Sequence, residues 1–329
     1  MTFRYNILTI CAATLMLTGC GGSDDGLIDE PQNVAESPAP KEITIKTDVK
    51  SMQTRANTID NNTALQGQDI KIDAYYNGTN TAYLSNTKLH YASSWKFWDG
   101  EAQLHYYWPI EGSVYDPDAD PVSSLDFVGY CPYTAPSYIT PEEYDATDGV
   151  SFSCDLSDYM TLDDQEDMQE YLIAVLNSQT YTTQTAAGGA LPLVFKHPFA
   201  LIKFTITAAS GTNVQINSIS IAGLKTGGTC TFDGTDLEWS SLSGNADMTL
   251  TQTLKNGGTT EGTPFVVIPN DYGSKTLTVN ATWDDWSDVT KNVSASVDFN
   301  WAAGYSYTYN LTLTKYALTV STSKYTEQW

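Results

Sequence analysis

Residues 305–329 read Tyr-Ser-Tyr-Thr-Tyr-Asn-Leu-Thr-Leu-Thr-Lys-Tyr-Ala-Leu-Thr-Val-Ser-Thr-Ser-Lys-Tyr-Thr-Glu-Gln-Trp. In the first part of this stretch large side chains occupy every second position, at Tyr305, Tyr307, Tyr309, Leu311 and Leu313. Because successive side chains of a strand point to opposite faces, this alternation predicts a β-strand with one buried face.

The alternation changes after Thr314 and Lys315, where the larger side chains move to the other parity, at Tyr316, Leu318 and Val320. A change of parity within one run predicts a bulge or a short break, followed by a second strand. This last strand is either the edge of its own sheet or a strand that is given to a neighbouring molecule. The stretch alone leaves both alternatives open.

The composition of the 329-residue chain indicates an all-β protein with an acidic surface. Thr, Tyr, Ile and Val recur in short alternating runs that Gly, Asn, Asp and Ser separate. The formal net charge is -23. This charge argues against nucleic acid as a partner, because phosphates are bound by Lys and Arg. It is typical of a self-repelling surface that faces the outside of the cell.

Residues 1–20 have the features of a targeting segment. Arg4 precedes an apolar run that is too short to span a membrane. The segment ends in Leu17-Thr18-Gly19-Cys20, which resembles the bacterial lipobox and predicts cleavage before Cys20 and acylation of its thiol. Acyl chains would anchor the precursor to a membrane. An ordinary secretory leader is the alternative.

A proline-containing linker leads from the leader to a short strand. Ile43, Ile45 and Val49 share one parity, and polar residues occupy the other, which predicts a half-buried strand. The strand is followed by Thr54-Arg55-Ala56, where Arg55 lies among small polar residues. This segment is a plausible cleavage site for an Arg-specific protease.

Further strands are predicted on both sides of a glycine-rich joint at residues 186–190. Before the joint they are 70–75, a hairpin of 95–100 and 103–110 that turns at Asp99-Gly100, and 126–132. After it a strand-rich region begins with 193–207 and continues with 214–221, 263–269 and 276–279. Short strands at this spacing favour two antiparallel sandwiches divided near residue 190.

One helix is predicted between residues 155 and 175. Thr161 and Asp164 have the spacing of a capping box. Apolar side chains then recur at helical spacing, at Met168, Tyr171, Leu172 and Val175.

Catalytic and metal-binding patterns are weak, so we predict no enzyme activity, no cofactor and no metal. The motifs of serine hydrolases, zinc proteases and phosphate loops are missing from the sequence. His90, His105 and His197 are interpreted as structural. The acids at 116, 118 and 120 begin like a calcium loop but lack its Gly and its bidentate Glu. A Cys131–Cys154 disulfide that leaves Cys230 single stays open, as does sugar binding by the many aromatic residues.

Several of these stretches, in their order and spacing, resemble the fimbrillin family, the subunits of type V pili. They are the lipobox at Cys20, Asp126-Phe127-Val128-Gly129-Tyr130-Cys131-Pro132, Phe195-Lys196-His197-Pro198-Phe199-Ala200, Phe265-Val266-Val267-Ile268-Pro269, Gly304-Tyr305-Ser306-Tyr307 and the final Trp329. Gly129 and Cys131 depart from the family's usual Ala and Tyr. This difference from the family affects the local packing of the strand and leaves the resemblance intact.

The resemblance implies a pilus subunit at the outer membrane and cell surface, with two tandem transthyretin-like antiparallel β-sandwich domains and one short helix. The implied organisation is a signal peptide (1–20), a tether and removable strand (21–55), an N-terminal domain (56–190), a C-terminal domain (191–314) and a donor strand (315–329). A protease cuts between Arg55 and Ala56, and the strand with Ile43, Ile45 and Val49 leaves.

The implied partners are other pilus subunits, joined head-to-tail in a homo- or hetero-polymer, together with the Arg-specific protease. Tyr316, Leu318 and Val320 of the next subunit would fill the vacated groove. A donor strand favours a position in the shaft, because a tip subunit has nothing beyond it to donate to. The alternative is a non-polymerising surface lipoprotein or a pilus-tip adhesin that binds glycan or host protein.

Overall fold

The computed structural model describes residues 41–49, 59, 61–109, 124–141, 144–166, 168–208, 214–254, 259–283, 289–314 and 316–328. These residues form β1 (Ile45–Val49), β2 (Ile70–Tyr76), β3 (Ala82–Tyr91), β4 (Trp95–Trp98), β5 (Leu125–Cys131), β6 (Ile139–Pro141), β7 (Val150–Asp155), β8 (Leu172–Gln179), β9 (Leu191–Phe195) and β10 (Ala200–Ala208). They continue with β11 (Val214–Leu224), β12 (Gly227–Phe232), β13 (Leu237–Ser243), β14 (Ala246–Leu254), β15 (Thr259–Glu261), β16 (Phe265–Val267), β17 (Asn270–Trp283), β18 (Val289–Trp301), β19 (Tyr305–Leu313) and β20 (Leu318–Gln328).

Helices are short in the part of the chain described here. They are α1 (Asn62–Gln66), α2 (Leu162–Glu166), α3 (Tyr181–Ala186) and a single 3-10 turn at Ser157–Tyr159. None of them has the length and apolar content needed to cross a bilayer. The predicted all-β sandwich fold is confirmed.

The first half of the fold is built on the sheet β4-β3-β2-β5-β8. Strand β5 lies inside this sheet, and all seven of its residues are buried. The parallel pair β1-β9 covers one face, where Ile45, Leu193 and Phe127 share a core. The sheet β13-β12-β7-β6 packs on the other face, where Val128 and Phe152 belong to a second core.

Gly129 leaves room for two side chains of β9 where β9 packs over β5. A Cβ atom at this position would lie 2.7 Å from Cδ2 of Leu193 and 2.9 Å from Cζ of Phe195. Atoms cannot approach this closely without displacing side chains of the close-packed core. Leu193 and Phe195 of β9 therefore fill the space that the Cβ atom of an Ala would take.

The second half of the fold is a sandwich of two sheets. One sheet has the order β15-β10-β19-β20, with β16 also paired to β10, and the other has the order β14-β11-β17-β18. Their facing side chains form a third core, which includes Phe204, Phe299, Trp301 and Tyr309. The indole N–H of Trp301 donates to the Tyr309 hydroxyl at 2.8 Å, so this polar pair is satisfied inside the core.

The final stretch forms an antiparallel hairpin, β19 and β20, with Leu313 opposite Leu318. The change of parity predicted after Thr314 is the turn that separates these strands. Tyr316 lies in that turn and is 83% exposed, whereas Leu318 is buried at the start of β20. Within this subunit the terminal strand is the edge of its own sheet.

The predicted helix at 155–175 is wrong beyond its first turn. Helix α2 covers only Leu162–Glu166, and the N–H of Asp164 donates to the Thr161 hydroxyl, as the capping box predicts. Residues from Leu172 onward form β8, which pairs with β5. Because β8 is buried on both faces, it carries apolar side chains at consecutive positions, and helical spacing occurs among them by coincidence.

The predicted division near residue 190 stays a prediction. Residues Ala39–Trp329 form one unit. Strand β12, which follows the predicted boundary, pairs antiparallel with β7, which precedes it. A strand from the second half of the chain therefore belongs to a sheet of the first half.

The three cysteines Cys131, Cys154 and Cys230 are free and buried, so the bridge that the sequence left open is not formed. Burial raises the pKa of Cys154 to about 12 and raises the pKa of Cys131 and Cys230 well above the ordinary value. The thiolate is the reactive form of cysteine.

We expect iodoacetamide at neutral pH to alkylate the native protein about two orders of magnitude more slowly than the denatured protein, since native thiols are neutral and buried. Mass spectrometry of protein that begins after the leader and carries Cys20→Ser gives both rates. An Asp236→Cys variant, with its thiol at an exposed position, is the control for reagent activity. Rapid native labelling of any of the three buried thiols would contradict this prediction.

Candidate functional site

Strand β1 inserts an apolar face into the core of the first half. Ile43, Ile45 and Val49 are 1%, 3% and 3% exposed, whereas Lys46 and Asp48 are exposed. This is the alternation predicted from the sequence. Burying an Ile or Val side chain contributes roughly 1.5–3 kcal/mol, so the three residues fix the segment strongly.

The chain around β1 is hydrogen-bonded on both sides. Along β1 itself, Ile45 to Val49 pair in parallel with Leu191 to Phe195 of β9. Just before β1, the N–H of Ile43 donates to the carbonyl of Tyr106 at 2.8 Å, and Trp108 N–H donates to the carbonyl of Lys41 at 2.9 Å. The segment therefore lies in a slot between β9 and residues 106–108.

The predicted hairpin near residue 100 is correct at its turn. Asp99 accepts the N–H groups of Glu101 and Ala102, and Gln103 bridges to Trp98. Its predicted second strand, 103–110, is wrong over residues 106–109, because this segment turns away to pair with residues 41–43.

Gln184 of α3 closes the slot at the start of β1. Its side-chain carbonyl accepts the N–H of Thr44 at 3.1 Å and the indole N–H of Trp108 at 3.2 Å. Its amide group donates to the carbonyl of Glu42 at 2.8 Å. Gln184 is 4% exposed, and no sequence pattern indicates this role.

Polar contacts also hold the other end of β1. The N–H of Val49 donates to the side chain of Asn62 at 2.9 Å, and Asn62 donates to Asp48 at 2.8 Å. The predicted cleavage pair Arg55 and Ala56 lies outside the described residues, as does the predicted lipidation site Cys20.

A buried cluster of Ile59, Glu170 and His197 fixes the chain shortly after the predicted cut. One carboxylate oxygen of Glu170 accepts the N–H of Ile59 at 2.6 Å, and the other lies 2.6 Å from Nδ1 of His197. Glu170 and His197 are 8% and 1% exposed. The sequence indicated a structural His197 but gave no sign of its partner.

Strand β20 carries the predicted donor residues at the edge of the other half. Leu318 is 9% exposed, and Val320 packs partly against the same core. The exposed ring of Tyr316 has the Lys291 ammonium group 5.2 Å from its centroid. The candidate groove residues and the candidate donor residues therefore belong to different cores.

Metal binding finds no support in the described residues, where no three His, Cys, Asp or Glu side chains are placed to hold an ion. The three histidines each contact a carboxylate: His90 with Asp69, His105 with Glu42, and His197 with Glu170. The Asp116–Asp120 segment lies outside the described residues.

Comparison with known proteins gives one family and a set of related folds. The sequence profile described as fimbrillin-like matches residues 54–329. A comparison with curated proteins finds no match.

Among solved structures, the chain is similar to a fimbrial protein from Bacteroides vulgatus, with 16% identity, 86% of this chain and 98% of that chain covered, and a TM-score of 0.58. It is also similar to a proposed cell adhesion protein from Bacteroides ovatus, with 16% identity, 88% and 98% coverage, and a TM-score of 0.55. At these identities the likeness concerns the fold.

Proposed function

The chain belongs to the fimbrillin-like family, and we propose that it is a shaft subunit of a type V pilus at the cell surface that serves adhesion. In this proposal the precursor is anchored to the outer membrane through Cys20 and cut between Arg55 and Ala56. Strand exchange then joins subunits head-to-tail. The observation that carries the proposal is β1, a separate N-terminal strand whose apolar face fills a core slot.

Several features support removal of β1 by a single cut. The sequence contains Arg only at Arg4 and Arg55, so beyond the leader an Arg-specific protease has one site. A cut there severs β1 from every later element. The buried contact of Ile59 with Glu170 holds the chain that remains.

Departure of β1 creates a strong requirement for a replacement strand. It uncovers Leu191, Leu193 and Phe195, each 1% exposed before the cut. It also opens the backbone of β9 and of residues 106–108, because both are hydrogen-bonded to this segment. Unpaired strand edges next to an apolar core recruit extended chains from other molecules.

Strand β20 is suited to be the replacement. It lies at an edge of its sheet, so it pairs with one neighbour, β19, and its departure leaves the remaining strand pairs intact. Leu318 and Val320 have the same two-residue spacing as Ile43 and Ile45. Since donor and slot lie on different parts of the subunit, the contact is heterologous and propagates as a filament.

We expect the Cys20→Ser precursor, treated briefly with an Arg-specific protease, to acquire one new N-terminus at Ala56 and to form a ladder of multimers on an unboiled denaturing gel. The ladder reflects strands that stay inserted, since the exchange buries apolar side chains and pairs open edges. N-terminal sequencing checks the position of the cut, and the gel checks the ladder of multimers. Arg55→Ala should prevent cleavage and ladder alike.

Clean cleavage that leaves a compact monomer would contradict polymerisation. Deletion of residues 315–329 is the matched control, because this variant should still be cut but should give no ladder. The same deletion tests the alternative, a non-polymerising lipoprotein or tip adhesin. Under that alternative neither wild type nor variant forms filaments, and ligand binding is unchanged by the deletion.

A further inference from the structure

The sheet β4-β3-β2-β5-β8 presents a set of basic and aromatic side chains on the outer surface of its β2-β3-β4 part. Lys71 of β2 pairs across to Lys88 of β3, Lys88 pairs to Trp98 of β4, and His90 pairs to Lys96. Residues of the opposite parity on these strands, such as Leu89 and Phe97, are buried in the core under β1 and β9. We call Lys71, Lys88, His90, Lys96 and Trp98 the basic face.

The basic face is open to solvent. The core that covers the outer side of β5 and β8 contains no residue of β3 or β4 among those described. The side chains of Lys71, Lys88 and His90 are 25%, 28% and 41% exposed. These groups are therefore partly buried at their stems and accessible at their polar ends.

The ammonium groups of Lys71 and Lys88 are held in place. Lys71 lies 4.8 Å from the ring centroid of Tyr130, and Lys88 lies 4.9 Å from that of Tyr133. Asp73 pairs with Lys71 at 3.2 Å, and Asp69 pairs with Lys88 at 3.0 Å. Fixed cations lose little conformational freedom when an anion binds, which favours affinity.

Asp69 remains ionised and contacts both Lys88 and His90. Burial raises its pKa, but hydrogen bonds from His90 and Lys88 outweigh burial and lower the pKa below the ordinary value. Lys96, in contrast, forms no ion pair with any residue that the structure describes. Its charge is available to an incoming anion.

Four side chains of the basic face form a square on two adjacent strands. Lys88 stands opposite Trp98, and His90 stands opposite Lys96, so the two lysines lie on a diagonal. Diagonal neighbours on a sheet are roughly 7–8 Å apart, so both ammonium groups can reach one bound anionic sugar. The rings of Trp98 and His90 have their centroids 5.7 Å apart and form the apolar part of the square.

We propose that the basic face binds an acidic saccharide, a sugar chain that carries carboxylate or sulfate groups. The C–H face of a sugar packs on Trp98, and its anionic group is bound by Lys88 and Lys96. Charge complementarity carries this assignment: the chain has 39 acidic residues against 16 Lys and Arg, yet this face holds three lysines against two carboxylates, those of Asp69 and Asp73. Lys96 supplies the excess positive charge. This proposal adds a class of ligand to the adhesive role proposed above, and it rests on that role.

An acidic peptide fits this face less well. A peptide binds a sheet most effectively by adding a strand at an open edge. The edge strand β4 already accepts the N–H of Leu104 at the carbonyl of Phe97 (2.8 Å) and bridges to Gln103. Nucleic acid is disfavoured by the overall charge of -23.

The test is calorimetric titration of the monomeric Cys20→Ser precursor with four probes: a heparin octasaccharide, an octameric galacturonide, maltooctaose and a poly-glutamate peptide. We expect saturable binding of at least one acidic sugar and none of maltooctaose. The double variant Lys88→Gln/Lys96→Gln should weaken that binding about tenfold or more, and Trp98→Leu should weaken it as well.

The matched control is Lys275→Gln/Lys291→Gln, which makes the same charge change on β17 and β18 and should alter affinity by less than about twofold. Circular dichroism and thermal unfolding confirm that each variant is folded. Absence of binding to both acidic sugars, equal loss in the control, or equal lysine-dependent binding of poly-glutamate would overturn the proposal. Because the precursor is uncleaved, these outcomes are independent of whether cleaved subunits polymerise.

Discussion

Replacement of Glu170 by Leu is expected to lower the free energy of unfolding of the precursor by about 3–5 kcal/mol, as measured by urea denaturation. Glu170 is 8% exposed and binds both Ile59 and His197 through separate oxygens. Leu leaves the Ile59 N–H without this acceptor and removes the contact with Nδ1 of His197. A buried donor that loses its acceptor bears the full cost of its desolvation.

Glu170→Gln separates the hydrogen bonds from the charge. The amide keeps an oxygen as acceptor for the Ile59 N–H and presents an N–H donor to Nδ1 of His197 in place of the carboxylate, so a smaller cost of about 1–3 kcal/mol is expected. Glu238→Leu is the control for the change of side chain, because Glu238 is exposed on β13 and its replacement should change stability by about 0.5 kcal/mol or less.

Hydrogen exchange adds a local readout of the same contact. The Ile59 N–H is expected to exchange much faster in Glu170→Leu than in the parent protein, because its acceptor is gone. If Glu170→Leu were no less stable than Glu238→Leu, and Ile59 stayed protected, then Glu170 would not fix this part of the chain.

Some strands with one face in water could be predicted from the sequence, whereas others of the same kind, such as Ala82–Tyr91 and Val289–Trp301, were missed. Ile43, Ile45 and Val49 alternate with polar residues, and Tyr305 to Leu313 alternate over nine positions, so period-two patterning alone identified both. The turn between β19 and β20 was visible as a change of parity. What the pattern did not give was the strand's partner, because pairing depends on residues far away in sequence.

The pattern failed where a strand is buried on both faces. In β8, Leu172 and Ala174 face one core and Ile173 and Val175 face the other, so residues 172–176 are all apolar and no period distinguishes strand from helix. The same error hid the role of Glu170. On the surface helix that the sequence suggested, a Glu at this position would be solvated, whereas the structure places it between Ile59 and His197.

Gln184 illustrates a site residue that no local rule indicates. Its amide links the backbone at residues 42 and 44 to the indole of Trp108, and these groups converge only after β1 has entered its slot. The pairing of β12 with β7 is of the same kind, since it joins residues on opposite sides of the predicted division. Both depend on tertiary contacts rather than on propensity.

The second large effect is expected at the centre of β1, where Ile45→Ala should destabilise the precursor by about 2–5 kcal/mol. Ile45 is 3% exposed and packs in the core beneath β9, so Ala leaves a cavity that the surrounding side chains fill only in part. Thr44→Ala is the matched control, because Thr44 is exposed and contributes through its backbone N–H, which Ala retains.

The same variant distinguishes a strand that leaves from a strand that stays. If β1 departs after cleavage at Arg55, residue 45 is no longer part of the subunit, and the polymer made from Ile45→Ala should be as stable as the polymer made from the parent protein. Glu170 lies beyond the cut, so the destabilisation by Glu170→Leu should persist in both precursor and polymer. Comparing the unfolding midpoints of the two variants before and after cleavage therefore separates the outcomes. A penalty for Ile45→Ala that survives cleavage would mean that β1 remains in its slot, and strand exchange at this position would then be wrong.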